Sequence, residues 1–385
     1  MKIRKSLTVP LTLSWLLGVT ILVLLNYQYP TESEEVLTKD QVIEQTVLNT
    51  FMVSTEPRIE GDTRPILRTL LGHGTGFTYL ATENEGLVIT NYHVIAKHLS
   101  RPELTTLKLY MINRPWAYPA EVVGFDKVTD IAVLRIKKVD DESWVGLDWN
   151  LDSKTYLEGT PVITVGHGLS LPYTVTEGVI SGTDRFRSRK LNFLLQHSAI
   201  INVGNSGGPV VGLDGRVIAV NSMIVSPSSS GSGIAAWDGV AMAVAGWQAI
   251  YSIEQIIENG KVLYSKIDFE TRSPTIEEVH KQDACYEGDK SKRSYAYLVV
   301  GGDSTEAIKS GLQTDDVMIS IEGEPVFGIA SIAKAVIDKK PNTSLTFGFL
   351  RNCEYMETEY RIQLFEPFKI VTGPVTQPPE LLPTE

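Results

Sequence analysis

Few residues in this chain have the type and spacing to do chemistry. Ser206 stands in Gly204-Asn205-Ser206-Gly207-Gly208-Pro209, between the apolar runs Ala199 to Val203 and Pro209 to Val211. That pattern predicts a tight turn joining two buried strands. Glycines on both sides let the backbone turn sharply and come close to a substrate. They also let successive N–H groups converge on one point, as an oxyanion requires. Ser206 is the candidate nucleophile, with the amides of Gly204, Asn205 and Ser206 as candidate oxyanion donors. A serine hydroxyl needs a base, usually a histidine held by a carboxylate. Of six histidines, His93 follows a β-branched run in Thr90-Asn91-Tyr92-His93-Val94-Ile95. Asp130 opens an apolar run in Asp126-Lys127-Val128-Thr129-Asp130-Ile131-Ala132-Val133-Leu134, where a carboxylate at a strand's edge can be buried and held. His73 and His167 lie in glycine turns and read as loop residues. The histidines have no metal-ligand spacing, so neither a metal nor another cofactor is expected.

The order His93, Asp130, Ser206 is that of chymotrypsin, not of subtilisin or the α/β-hydrolases. The three segments around these residues resemble the catalytic segments of the HtrA/Deg family of trypsin-like serine proteases. The likeness extends to Gly72-His73-Gly74-Thr75-Gly76-Phe77, to Thr174-Val175-Thr176-Glu177-Gly178-Val179-Ile180-Ser181 and to Leu213 to Asn221. Six segments in the right order over about two hundred residues make the signal very specific. The resemblance implies a serine endopeptidase of periplasmic quality control or envelope-stress signalling, assembled as a homotrimer. It also implies a substrate pocket built from Ile201, Ile224 and Val225, with the substrate laid as a strand beside Asn221 to Ile224. These residues carry no charge, so cleavage after small or medium aliphatic residues of unfolded or extended proteins is expected.

The elements that must position these groups are short. Apolar runs at Phe51–Val53, Gly76–Leu80, Leu87–Thr90, Leu107–Met111, Ala120–Val123 and Ile131–Ile136 are separated by turns. A second set follows at Pro161–Val165, Thr174–Ser181, Leu194–Ile200, Pro209–Leu213, Val217–Asn221 and Gly239–Val244. Such spacing predicts a mostly-β fold of antiparallel barrels. It fits the chymotrypsin-like double six-stranded barrel, with the site between the barrels, over residues 50–259. Thr183 to Lys190, with Arg185, Arg187 and Arg189, reads as a basic hairpin tip, in the place of the family's sensor loop. Ile250, Ile253, Ile256 and Ile257 mark a closing helix from Gln248, ended by Asn259-Gly260.

Composition bounds the partners. The 385 residues predict two to three domains. With 43% apolar residues there is enough to bury real cores, and a net charge of −11 argues against nucleic acid. Residues 1–30 read as a cytoplasmic N-terminus and a signal anchor. Lys2, Arg4 and Lys5 precede about 20 uncharged residues from Ser6 to Leu25, long enough to span a bilayer. No small-x-small cleavage site follows. The catalytic part would then face the periplasm. Residues 31–49 read as a linker, with a short helix between Asp40 and Leu48. Residues 367–385 read as a disordered, Pro-rich tail.

Residues 262–366 resemble a PDZ domain on Tyr297 to Val300, Ser304 to Leu312 and Asp315 to Val326, with a second helix at Ile329 to Ile337 and a strand at Leu345 to Leu350. The resemblance implies binding of C-terminal peptides. The carboxylate loop would fall at Tyr264-Ser265-Lys266-Ile267, where the usual glycine is missing. Both cysteines, Cys285 and Cys353, lie here, and an oxidising compartment would permit a disulfide.

Overall fold

The computed structural model describes residues 37–58, 72–112, 114, 116–139, 144–152, 155–168, 173–187, 192–224, 240–285 and 296–365. The expected anchor at 1–30, most of the loop from Glu56 to Leu71, Val225 and the tail at 367–385 fall outside this set. Residues 1–38 form one unit and Lys39 to Glu385 another, which carries all the regular structure described. Among the described residues no helix is long and apolar enough to cross a membrane.

Helix α1 (Lys39–Leu48) leads into the first barrel. The helix expected near Asp40 is present and starts one residue earlier. Strands β1 (Thr50–Pro57), β2 (Gly72–Ala81) and β3 (Glu85–Asn91), helix α2 (Tyr92–Ser100), and strands β4 (Thr105–Met111), β5 (Ala117–Asp126) and β6 (Ile131–Lys137) follow. The six strands close in the order β1-β2-β3-β6-β5-β4, all antiparallel. Phe51, Leu109, Tyr118, Leu134 and Trp144 fill the interior. Phe51 meets both Tyr118 and Trp144 edge-on, at 5.9 and 5.8 Å.

The second barrel is β7 (Pro161–Gly166), β8 (Thr174–Arg187), β9 (Asn192–His197), β10 (Pro209–Gly212), β11 (Val217–Ile224) and β12 (Ala241–Ala245), closed as β10-β11-β12-β9-β8-β7. All twelve strands expected from the apolar runs are present, most of them longer than the run that marks them. Two expectations need correction. The basic segment from Thr183 is strand in its first part: β8 runs on through Arg187, paired with Asn192 of β9, with bulges between Ile180 and Arg185, while Arg189 and Lys190, between the two strands, lie outside the described residues. The run Ala199 to Val203 is not a buried strand. β9 ends at His197, and Ile200 and Val203 are 60% and 72% exposed. Only Ala199 of that run is buried; from Ile200 on, its apolar residues lie on or near a loop surface.

Helix α3 (Gly246–Asn259) then crosses back over the first barrel. It stops at Gly260, whose φ of +69° is the left-handed C-terminal residue that glycine suits best. Gly124 of β5 marks the crossing: a Cβ there would lie 2.7 Å from Ile256 Cγ2 and 3.0 Å from the Gly260 carbonyl oxygen.

The C-terminal module contains β13 (Tyr264–Lys266), β14 (Glu270–Arg272), α4 (Ile276–Cys285), β15 (Tyr297–Val299), α5 (Thr305–Lys309), β16 (Val317–Ile321), β17 (Glu324–Pro325), α6 (Ile329–Ile337), β18 (Ser344–Arg351), β19 (Glu354–Arg361) and β20 (Gln363–Phe365). Strands β14, β15, β16, β18 and β19 form one sheet, while β13 pairs with β20. Leu298, Met318, Ile332, Phe347 and Tyr360 form the core between sheet and helices. Cys353 is disulfide-bonded, and Cys285 is the chain's other cysteine.

Candidate active site

His93 sits in the first turn of α2, just after β3. Asp130 directly precedes β6 and holds φ +64°, a left-handed conformation that few residues other than glycine, asparagine and aspartate adopt. Its main-chain oxygen accepts from Tyr92 N–H at 2.9 Å and from Asn91 Nδ2 at 3.0 Å. Its carboxylate is aimed at His93. Oδ1 accepts the His93 main-chain N–H at 3.0 Å, and Oδ2 lies 2.7 Å from His93 Nδ1. With Nδ1 donating to Asp130, Nε2 of His93 is the nitrogen left to act on a substrate. Asp130 is almost fully buried and the His93 side chain is half exposed, as a base open to substrate must be.

Ser206 comes from the second barrel, on the loop between β9 and β10. Two positions of that loop need glycine. Gly204 has φ +104°, and a Cβ there would fall 2.3 Å from the His167 carbonyl oxygen. Gly207 has φ +86°, and a Cβ would fall 2.1 Å from the Thr75 carbonyl oxygen. The N–H groups of Gly204 and Ser206 have no protein partner among the described residues, as oxyanion donors require. The Asn205 N–H does not belong with them: it donates to Asn202 O at 3.0 Å and closes the turn.

Thr75 of β2 fastens this loop to the first barrel. Its N–H donates to Ser206 O at 2.8 Å, and its hydroxyl donates to Gly204 O at 2.6 Å and accepts the His167 N–H at 3.0 Å. His167 is therefore no solvated loop residue. It is buried beside Thr75 and Tyr173, and burial, with His73 nearby, pushes its pKa down to about 3. His73 lies in β2, paired with Ser54, with its Nε2 against Gly204.

Asn221 does not face a substrate. Its carbonyl accepts Gly207 N–H at 2.8 Å and its N–H donates to Gly208 O at 2.9 Å. Its side chain is buried between His197 Nε2, at 2.9 Å, and Thr164 Oγ1, at 2.6 Å. It latches the nucleophile loop to β11 instead. Ile201 is half-buried beside that loop, and Ile224 ends β11.

Ser222 is the functional residue that sequence reasoning missed. Its hydroxyl donates to Asp130 Oδ2 at 2.9 Å, and its carbonyl accepts from Ser206 Oγ at 3.1 Å. One residue from the second barrel thus touches both the Asp130 carboxylate and the Ser206 hydroxyl. The only signal in the sequence was a serine directly after the pocket-strand asparagine. Ser206 Oγ makes no hydrogen bond to His93 in this conformation.

In the C-terminal module the expected carboxylate loop is not an open groove. Tyr264 and Ser265 are buried, and Ser265 Oγ donates to the Lys339 carbonyl. Lys266 is exposed beside Phe365, and Ile267 packs against the module's core. The Asp268 N–H donates to Tyr360 Oη at 2.8 Å.

Two closed six-stranded antiparallel barrels, with a histidine–aspartate pair on one and a serine in a glycine turn on the other, define a trypsin-like peptidase fold. The trypsin-like peptidase domain family matches residues 74–220. A probable periplasmic serine endoprotease, DegP-like, of Chlamydia pneumoniae is 32% identical over 287 residues, 74% of this chain and 53% of that protein. The periplasmic pH-dependent serine endoprotease DegQ of Escherichia coli is 25% identical over 288 residues, 74% of this chain and 58% of that protein. The solved structure of the HtrA-type protease AlgW with a tripeptide superposes with a TM-score of 0.66 at 22% identity, over 86% of this chain and 98% of that one. The chain belongs to the HtrA/Deg family of trypsin-like serine proteases. It spans about half the length of the DegP-like relatives it matches.

Proposed function

We propose that this protein is a serine endopeptidase that cuts unfolded or extended proteins in the periplasm, in quality control or envelope-stress signalling. The observation that carries this reading is the 2.7 Å contact of His93 Nδ1 with Asp130 Oδ2, formed on the barrel that faces Ser206. His93 takes the proton of Ser206 Oγ as the oxygen attacks the peptide carbonyl, and later gives it to the leaving amine. Asp130 fixes the tautomer of His93 and stabilises its charged form. The N–H groups of Gly204 and Ser206 hold the developing oxyanion. An acyl-enzyme forms on Ser206, and water releases it. Family resemblance assigns Ile201, Ile224 and Val225 to an apolar pocket for a small or medium aliphatic side chain.

The assignment of 262–366 as a PDZ domain, of 50–259 as the protease domain, and of 1–30 as a single-pass inner-membrane anchor joined by 31–49 is part of the same proposal, as is a homotrimer. Family resemblance and the periplasmic names of the relatives support it.

One observation favours a second reading. Ser206 Oγ donates to Ser222 O rather than to His93, as in a barrel that binds without cutting. Casein digestion by the full chain in detergent, beside Ser206→Ala, separates the two. Cleavage lost in the variant and directed after Val, Ala or Leu is the expected result. Equal behaviour of both forms would favour the binding module. Cutting after Lys or Arg would refute the pocket.

A further inference from the structure

The turn that carries Asp130 is organised by a second, buried carboxylate four residues upstream. Asp126 Oδ1 accepts Val128 N–H at 2.9 Å, and Oδ2 accepts Thr129 N–H at 3.2 Å and Thr129 Oγ1 at 2.5 Å. Asp126 is 5% exposed, so a charge there needs every donor it can find. Two donors come from outside the barrel. Ser252 Oγ of α3 donates at 3.0 Å, and Tyr264 Oη of β13 donates to the same oxygen. Ser252 and Thr129 hydroxyls also lie 3.0 Å apart, which closes the cluster.

Tyr264 is the residue that resemblance placed in a peptide-binding loop. Its ring is fully buried and its hydroxyl points into the protease domain. Burial and the neighbouring Asp126 push its pKa well above the ordinary value, so the phenol stays a donor. The strand that holds it is tied on both sides, to β20 by the ladder Tyr264↔Phe365 and to the turn after α6 through Ser265 Oγ and Lys339 O.

We propose that Asp126, with Tyr264 and Ser252 as its donors, is a positioning residue for catalysis. The cluster holds residues 126–130 so that Asp130 stays in its left-handed conformation with its carboxylate on His93. The C-terminal module is thereby a fixed part of the catalytic apparatus, through one phenol. This rests on the reading of His93, Asp130 and Ser206 as the working site. It goes beyond that reading by assigning work to three residues that touch neither substrate nor reacting atoms.

Tyr264→Phe keeps the ring and removes only the hydroxyl. In the full chain it is expected to lower kcat about tenfold, as small misplacements of catalytic groups do, with KM unchanged and the fold retained by circular dichroism. Ser252→Ala, which removes the other donor from a different element, is expected to act in the same direction. The double variant should fall short of the product of the two losses, because both act through one carboxylate. The low-field proton resonance of the His93–Asp130 hydrogen bond should shift or broaden in either variant. Wild-type kcat and an unshifted resonance in Tyr264→Phe would overturn the proposal, as would a loss confined to KM. Should Tyr264→Phe not fold, Ser252→Ala decides by the same two readouts. Labelling of Ser206 by a fluorophosphonate in the wild type keeps the two claims apart. No labelling defeats the protease reading, while the resonance still tests the positioning of Asp130.

Discussion

Ser222 and Gly204 show how much of the site depends on single groups. Ser222 supplies one of three donors to the Asp130 carboxylate, beside the N–H and Nδ1 of His93. Ser222→Ala removes that donor and leaves the main chain in place. It should lower kcat roughly tenfold with little change in KM, since a hydrogen bond to a charged group contributes about 1.5–3 kcal/mol. Steady-state kinetics on one peptide substrate would read this directly. Gly204→Ala should do more. A methyl group cannot fit against the His167 carbonyl, and φ +104° disfavours any side chain. The loop must shift and the Gly204 N–H must leave its place, at a cost of about a hundredfold or more in kcat. Fluorophosphonate labelling would separate a misplaced hole from a misfolded loop. His93, Asp130 and the turn of Ser206 with its two glycines could be picked out as candidates in the sequence because each of the three lies in a short motif. Ser222 was not, because its partner Asp130 is 92 residues away and only barrel packing brings them together. Asn221 was misread as a substrate contact for the same reason: its buried partners come from β7 and β9.

At the scale of elements, α3 is the piece that joins the two halves of the site. It leaves β12 of the second barrel and lies on β5 and β6 of the first. Its apolar residues Ile253 and Ile256 are fully buried, and Ser252 reaches Asp126. Gly124 lets the helix approach, so Gly124→Ala should push α3 away from β5. Overpacking of this kind costs about 1–3 kcal/mol. An unfolding free energy from urea denaturation lowered by about 1–3 kcal/mol, together with reduced kcat as Ser252 loses its register with Asp126, is the expected outcome. The helix itself was legible from its isoleucine spacing and from Asn259-Gly260. Its destination on the opposite barrel was not, since an apolar stripe says that a face is covered and not by what. Ala199 to Val203 illustrates the converse: an apolar run read as a buried strand forms an exposed loop beside the nucleophile.

For the whole molecule, two buried histidines set the response to acid. Burial pushes His167 down to about 3 and His197 down to about 4, and both are neutral in the folded state. In the unfolded chain they take up protons near pH 6.5. Below that pH the unfolded state binds more protons, so stability falls as pH drops from about 6.5 towards 4, and the loss continues to about 3 through His167. Thermal melts across pH 7 to 4 should show a falling Tm, and His197→Gln should flatten the part between 6.5 and 4. A pH-independent Tm over this range would contradict the burial of both rings. At this scale the division of labour is plain. Sequence alone determined the twelve barrel strands, the order of His93, Asp130 and Ser206, and the glycines of the nucleophile turn. These are local patterns of apolar spacing and backbone freedom, readable over a few residues at a time. Only the tertiary structure decided that Thr75 fastens the nucleophile loop, that Ser222 bridges Asp130 and Ser206, and that Tyr264 turns its hydroxyl towards Asp126 instead of lining a groove. Each of these is a contact between residues far apart in the chain. A hydrogen bond depends on where two surfaces meet, and no local pattern in the chain carries that information.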